Sequence, residues 1–171
     1  MDVCGFTGYR FSKLPYKREE THPDCIALKH ALREEIDRML LQGTRHFICG
    51  GAQGVDTFAA EIILSFLAAY PDIYLEIAVP YVEQAQNWRQ EDQLRYHRIL
   101  EAAQRITYVQ IAKTSRAMYH RNQYIVDHAD RMIAVYDGKP GGTKNTILYA
   151  KKMNKSLTVF SPTGVRQTQY E

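Results

Sequence analysis

Short apolar runs of strand length alternate with segments of helical periodicity along the whole chain. The strand candidates are residues 2–8, 46–51, 73–80, 105–111, 131–137 and 156–160. The helix candidates are residues 28–40, 55–66, 81–104, 116–129 and 146–153, with Gly43 as a stop after the first. Strict alternation of this kind predicts an α/β fold with a mainly parallel sheet and helices on both faces.

The length of 171 residues predicts one domain over residues 1–171, and no repeat, linker or low-complexity tract divides it. A net charge of +3, spread along the chain, is too weak to indicate nucleic-acid binding. Cys4, Cys25 and Cys49 are odd in number, and two lie in strand-like runs, so we expect no disulfides. The first residues have no signal-peptide pattern, and the longest apolar run is about half the roughly 20 residues of a membrane span. We therefore expect a cytoplasmic protein without membrane attachment.

Three glycine-bearing loops follow strand candidates and lead towards helices: "GFTGYR", "GGAQGVD" and "KPGGTKNT". In an open parallel sheet, ligands lie beyond the carboxyl ends of the strands. Glycine lets backbone N–H groups approach an anion, and the positive end of the following helix also favours binding of an anion. The loops therefore predict a phosphate site in a shared cleft. For any one loop, the alternative is that the glycine serves turn geometry alone.

Several motifs together resemble the YpsA-like branch of the SLOG superfamily, which also contains the LOG phosphoribohydrolases and the DNA-processing protein DprA. They are "GGAQGVD" followed by "AAE", "PYVEQAQNW", "RNQYIVDHAD" and "YDGKPGGTKNT", and the similarity runs from about residue 2 to residue 160. The resemblance implies a single SLOG, Rossmann-like domain. It also implies a pocket for a nucleotide or a nucleotide-derived ligand. With the three loops, this leads us to expect an ADP-ribose-like or nucleoside-monophosphate species, and no cofactor is firmly implied.

The motifs that carry the resemblance supply the expected ligand-binding residues. Those of the three loops are Thr7, Gly8, Tyr9, Arg10, Gly50, Gly51, Gly54, Asp56, Gly141, Gly142 and Thr143. LOG phosphoribohydrolases carry a catalytic glutamate after the proline-glycine-glycine loop, whereas this chain has no acid between that loop and Lys151. Binding of a nucleotide or nucleotide-derived phosphorylated ligand, in order to sense it or to process it, is therefore the leading function. A hydrolase of an N-glycosidic or phosphoester bond, with Glu83 or Asp56 positioning water, is the alternative.

Individual residues in the predicted site each have a second interpretation. Arg10 suits bidentate phosphate contact but could be a solvated loop arginine. Tyr81 is expected to line the cleft. Trp88 could stack on a base or pack against the sheet. Asn122, with its neighbour Gln123, could bond a ligand or merely a loop.

Other partners are less well supported by the sequence. The histidines show no metal-ligand spacing, so we expect no metal site. The twelve tyrosines are not interleaved with basic runs, so nucleic acid is not expected. Kinship with DprA keeps single-stranded DNA binding as a minor alternative. A homo-oligomer and a protein partner remain open.

Overall fold

The computed structural model describes residues 2–167 as six strands, five α-helices and a 3-10 turn. The strands are β1 (Val3–Gly8), β2 (His46–Cys49), β3 (Tyr74–Val79), β4 (Arg105–Tyr108), β5 (Arg131–Val135) and β6 (Ser156–Phe160). The helices are α1 (Pro23–Leu41), α2 (Val55–Ser65), α3 (Gln90–Ala102), α4 (Ala117–His128) and α5 (Gly142–Lys152), and the 3-10 turn is Phe11–Lys13. The predicted alternation is confirmed, but α3 begins at Gln90 because most of residues 81–88 form turns.

All six strands are parallel and lie in the order β4-β3-β2-β1-β5-β6. The chain moves outwards from β1 to β4 and then returns to place β5 on the other side of β1. Right-handed crossovers therefore put α1, α2 and α3 on one face of the sheet and α4 and α5 on the other. The predicted α/β fold with helices on both faces is confirmed, and the sheet is entirely parallel.

The central strands are apolar because helices cover them on both faces. In β1, Cys4 and Phe6 are buried, and Phe6 lies 6.4 Å from the ring of Phe47 on β2. The outer strand β4 is different, since Ile106 and Tyr108 remain partly exposed. The three cysteines are buried free thiols.

Local signals set the ends of α1. Pro23 occupies the first turn, where its missing N–H carries no penalty, and the His22 ring accepts a hydrogen bond from the Asp24 amide at 3.1 Å. Gly43 follows the last turn with φ +99°, a conformation that favours glycine. The predicted stop is thus confirmed.

The long connection from β1 to α1 is ordered by buried anchors. Leu14 and Tyr16 are buried, and the Tyr16 hydroxyl donates to the Pro162 carbonyl at 3.0 Å. Further along, Arg18 contacts both carboxylate oxygens of Asp92 at 2.6 Å. These contacts fix the loop that carries residues 9–13 over the end of the sheet.

Candidate functional site

A cleft opens beyond the carboxyl ends of β1 and β5, where the strand order reverses. This reversal point is where open α/β sheets bind ligands. The cleft has a volume of about 290 Å³. Its lining residues are Phe6, Thr7, Gly8, Tyr9, Arg10, Ser12, Lys13, Ala52, Asp56, Met118, Arg121, Asn122, Ile125, Gly142 and Thr143.

Two cations from the β1–α1 connection face this cleft. The Arg10 guanidinium contacts only the Met118 sulfur, at 3.3 Å, among its hydrogen-bond partners within residues 2–167. Lys13 Nζ donates to the Pro140 carbonyl at 2.6 Å. Neither side chain forms an ion pair with a carboxylate in the described part of the chain. Their charges are therefore available to an anionic ligand.

The N-terminus of α5 forms the opposite wall. Gly141, at φ +137°, precedes the helix without a side-chain cap, and no acidic residue lies in the first turn. The first N–H groups of a helix lack intrahelical partners and carry partial positive charge. Gly142 and the buried Thr143 line the cleft beside them. This wall suits an anion as well.

Asp56 and Arg121 form the floor of the cleft, and both are buried. Arg121 Nη1 donates to the Gly50 carbonyl, and Asp56 Oδ2 accepts from the Ala52 amide at 3.2 Å. Burial raises the pKa of Asp56, an effect opposed by the nearby Arg121 charge, and burial lowers the pKa of Arg121. Arg121 therefore supplies the main compensating charge for Asp56, and the Arg10 charge acts in the same direction.

Gly50 makes room for this pair. A methyl group there would lie 2.5 Å from Arg121 Nη1 and 2.7 Å from Asp56 Oδ2. Gly50 does not need a positive φ. Its role in the structure is the close approach of two charged side chains to the backbone.

Gly51 and Gly54 have positive φ angles of +70° and +91°. A methyl group on Gly54 would lie 2.5 Å from the Tyr9 carbonyl oxygen and 2.9 Å from Arg10 Cα. The Val55 amide also donates to the Tyr9 carbonyl, at 3.1 Å. The second glycine loop thus packs against the first loop, and its glycines lie behind the cleft, whereas Ala52 and Asp56 of the same segment line it.

Tyr9 joins the first loop to the loop after β5. Its hydroxyl donates to Asp137 Oδ1 at 2.7 Å and accepts from the amides of Asp137 and Lys139 at 3.1 Å each. Burial raises the pKa of Tyr9 to about 12. The hydroxyl therefore holds the two loops together, and the tyrosine also lines the cleft.

The structure places three other predicted residues away from the cleft. Glu83 is exposed and borders a separate surface depression near Tyr108. Trp88 packs against Tyr96, with ring centroids 5.2 Å apart, in a small cavity on the other side of Asp56. Tyr81 is half-buried and lies outside the cleft lining. Asn122 lines the cleft directly.

Seven cleft residues were not predicted from the sequence: Phe6, Ser12, Lys13, Ala52, Met118, Arg121 and Ile125. Arg121 carried a usable signal, since it lies at helical spacing between Ala117 and Ile125, both buried. An arginine inside an apolar stripe indicates a buried charge with a specific partner. Lys13 lies in a long polar loop, where no periodicity marks it.

The family model of the YspA SLOG family (YpsA) matches residues 4–161. The chain belongs to this family. UPF0398 proteins from Bacillus thuringiensis (strain Al Hakam) and Bacillus cereus (strain AH187) are each 30% identical over 155 residues, covering 89% of this chain and 84% of the relative. The similarity to the YpsA-like branch is thus confirmed.

Two solved structures share the fold of this YspA SLOG protein. One is DNA processing protein A from Helicobacter pylori, which binds single-stranded DNA, with a TM-score of 0.57 and 18% identity. The match covers 93% of this chain and 65% of that one. The other is TM1055, with a TM-score of 0.55 and 18% identity, covering 92% of this chain and 72% of that one.

Neither a metal cluster nor a membrane-spanning helix occurs within residues 2–167. In that range, no group of three or more His, Cys, Asp or Glu side chains is arranged to hold a metal ion. Over the same residues, no helix has both the length and the apolar character needed to cross a membrane.

Proposed function

We propose that the cleft binds the phosphate of a nucleotide or nucleotide-derived ligand. The observation that carries the proposal is the convergence of Arg10 and Lys13, both without a carboxylate partner in the described residues, on the acid-free N-terminus of α5. Arginine and lysine bind phosphate oxygens through charge-assisted hydrogen bonds, and the helix end adds its partial charge. Thr7, Ser12 and Thr143 supply hydroxyl groups to the same space.

Calorimetric titration at low salt with ribose 5-phosphate, AMP and ADP-ribose tests this proposal. Replacing Arg10 or Lys13 by alanine is expected to weaken binding of the phosphorylated ligands roughly tenfold or more, because each removes a charge-assisted hydrogen bond. Lys152→Ala, at the exposed far end of α5, is the matched charge control. Absence of binding and of thermal stabilisation by every phosphorylated ligand at millimolar concentration would refute the proposal.

Hydrolysis of an N-glycosidic or phosphoester bond is the second candidate, and Asp56 is the observation that favours it. Asp56 is the only carboxylate among the residues that line the cleft, and its raised pKa is typical of catalytic sites. Chromatography after incubation with AMP, ADP-ribose or NAD would detect turnover. Catalysis through Asp56 predicts that Asp56→Asn abolishes turnover while Glu83→Gln, outside the cleft, does not. Unchanged substrates would leave binding as the function.

Single-stranded DNA binding is a minor candidate that rests on the likeness to DNA processing protein A. The open cleft could admit the phosphate backbone of DNA. Arg10 and Lys13, which lack a carboxylate partner within residues 2–167, could contact its phosphates. A DNA complex would lose affinity steeply with salt, because released counterions drive such binding. Titration of an oligonucleotide at increasing salt would separate this function from binding of a single nucleotide.

A further inference from the structure

A second depression, the α4–α5 groove, continues the cleft between two helices. It has a volume of about 230 Å³ and shares Met118, Asn122 and Gly142 with the cleft. Because both spaces open beside the same three residues, a ligand held at the start of α5 can extend into the groove. The combined space suits a small-molecule ligand larger than a phosphate.

The groove differs chemically from the cleft. None of its lining residues is charged, and Tyr119 and Tyr149 contribute aromatic rings. Outside the lining, the Arg116 guanidinium lies 4.8 Å from the centroid of the Tyr119 ring and leaves the other face of that ring for a ligand. Gln123 Nε2 donates to the Tyr119 hydroxyl at 2.8 Å, which holds that ring in place. The Asn145 side chain is exposed and makes no hydrogen bond within residues 2–167. An uncharged, planar group with polar edges matches these walls better than a second phosphate.

The dimensions of the groove follow from helix geometry. Gly142, Asn145 and Tyr149 lie on one face of α5, since they are spaced by three and four residues. From Gly142 to Tyr149 the helix rises about 10 Å, at 1.5 Å per residue. That length accommodates a sugar and a base beyond a phosphate at the helix start.

Asn122 lies at the junction of the two spaces with a fixed orientation. Its Oδ1 accepts a hydrogen bond from Arg121 Nε at 2.8 Å, which leaves the amide N–H groups as donors. Its Nδ2 lies 3.7 Å from the position of a methyl group on Gly142. The donors therefore lie close to the start of α5, where the cleft meets the groove.

We propose that the α4–α5 groove holds the nucleoside part of a nucleotide, with the base between Tyr119 and Asn145 and the 5′-phosphate at the start of α5. This inference rests on the proposed function of the cleft. It goes further by assigning the ligand class: a nucleotide with an intact base, in preference to a bare sugar phosphate. It also assigns specificity to residues of the groove, which the phosphate site does not use.

Calorimetry with the full chain tests the assignment, using AMP, GMP, CMP, UMP, ribose 5-phosphate and inorganic phosphate. At least one nucleotide is expected to bind about tenfold more tightly than ribose 5-phosphate, because stacking on an aromatic ring adds to the phosphate contacts. Tyr119→Ala and Asn145→Ala should remove most of this advantage and leave the affinity for ribose 5-phosphate unchanged. Leu148→Ala, exposed on α5 and outside the groove lining, should keep both affinities.

The outcomes separate the two proposals. Equal affinity of every nucleotide and ribose 5-phosphate in the wild type overturns the groove assignment while the phosphate site stands. The groove assignment is likewise overturned if the groove variants weaken ribose 5-phosphate binding as much as nucleotide binding. Failure of all phosphorylated probes to bind overturns the proposed function, and the groove assignment with it.

Discussion

Replacement of Gly54 by alanine should destabilise the protein through two separable effects. The first is backbone strain, because Gly54 has φ +91°, where an L-residue costs about 1–3 kcal/mol. The second is steric, because the new methyl group would lie 2.5 Å from the Tyr9 carbonyl oxygen, which accepts the Val55 amide hydrogen bond. Loss of that bond adds about 1 kcal/mol.

Two other glycines isolate these effects. Gly43 has φ +99° with no atom within 4 Å of an added methyl group, so Gly43→Ala introduces strain alone, about 1 kcal/mol. Gly50 lacks a positive φ, so Gly50→Ala introduces a steric clash without strain, with the Arg121 and Asp56 side chains in place of the backbone atoms met at Gly54. Gly54→Ala combines both and should cost about 3 kcal/mol in the free energy of unfolding.

Urea denaturation and thermal melting of the three variants measure these differences. For a chain of this size, about 3 kcal/mol corresponds to a fall in Tm of roughly 10 °C. Gly54→Ala should also weaken ligand binding in the folded fraction, because the methyl group displaces the backbone of Arg10. A Gly54→Ala variant no less stable than Gly43→Ala would refute the tight packing of the two loops. Lost stability with intact affinity would show that this loop is only a turn.

Three further perturbations test contacts of the cleft and of the long connection from β1 to α1. Tyr9→Phe should cost about 1–2 kcal/mol, because the amides of Asp137 and Lys139 lose their shared acceptor; urea denaturation measures the loss. Hydrogen bonds from Arg95 lower the pKa of Glu20 to about 2, so Glu20 adds stability above its unfolded pKa that disappears as the pH falls towards 2. Glu20→Gln should therefore reduce stability at pH 7 by about 2 kcal/mol and flatten its decline between about pH 5 and pH 2, as followed by circular dichroism. Arg121→Met should cost about 3 kcal/mol because it removes the main positive charge acting on the buried Asp56 and leaves only Arg10, and adding Asp56→Asn should recover part of the loss in a double-mutant cycle.

The fold could be predicted because its determinants are local. Strands buried on both faces appear as short apolar runs, and the helices between them show a stripe of buried residues. The predicted start of α3 is wrong because the turns of residues 81–88 precede the helix without a proline or glycine to mark its first turn. The strand order could not be predicted, since it depends on packing between segments that are far apart in the sequence.

Residues of the candidate site could be predicted from the sequence only where the residue type itself indicates a role, as in the glycine loops. The first and third glycine loops led to the cleft because strand ends in a parallel sheet converge on one edge. Arg121 was missed although its place in an apolar helical stripe indicated a buried charge. Lys13 could not be predicted because its importance arises from a contact with a distant residue, the Pro140 carbonyl. The same holds for Trp88, whose neighbour Tyr96 lies on the other side of Asp56 from the cleft.

The distribution of charge around the cleft favours binding over hydrolysis. The start of α5, which faces the cleft with Gly142 and Thr143, carries no acidic residue. Asp56, on the floor, is the only carboxylate among the residues that line the cleft. To position water, Asp56 would have to be ionised, and its burial opposes that state while Arg121 supports it. A bound phosphate would add a further negative charge beside Asp56 and raise its pKa again. The same phosphate would gain from Arg10, Lys13 and the end of α5, so the charge arrangement supports the proposed phosphate binding more directly than the proposed hydrolysis.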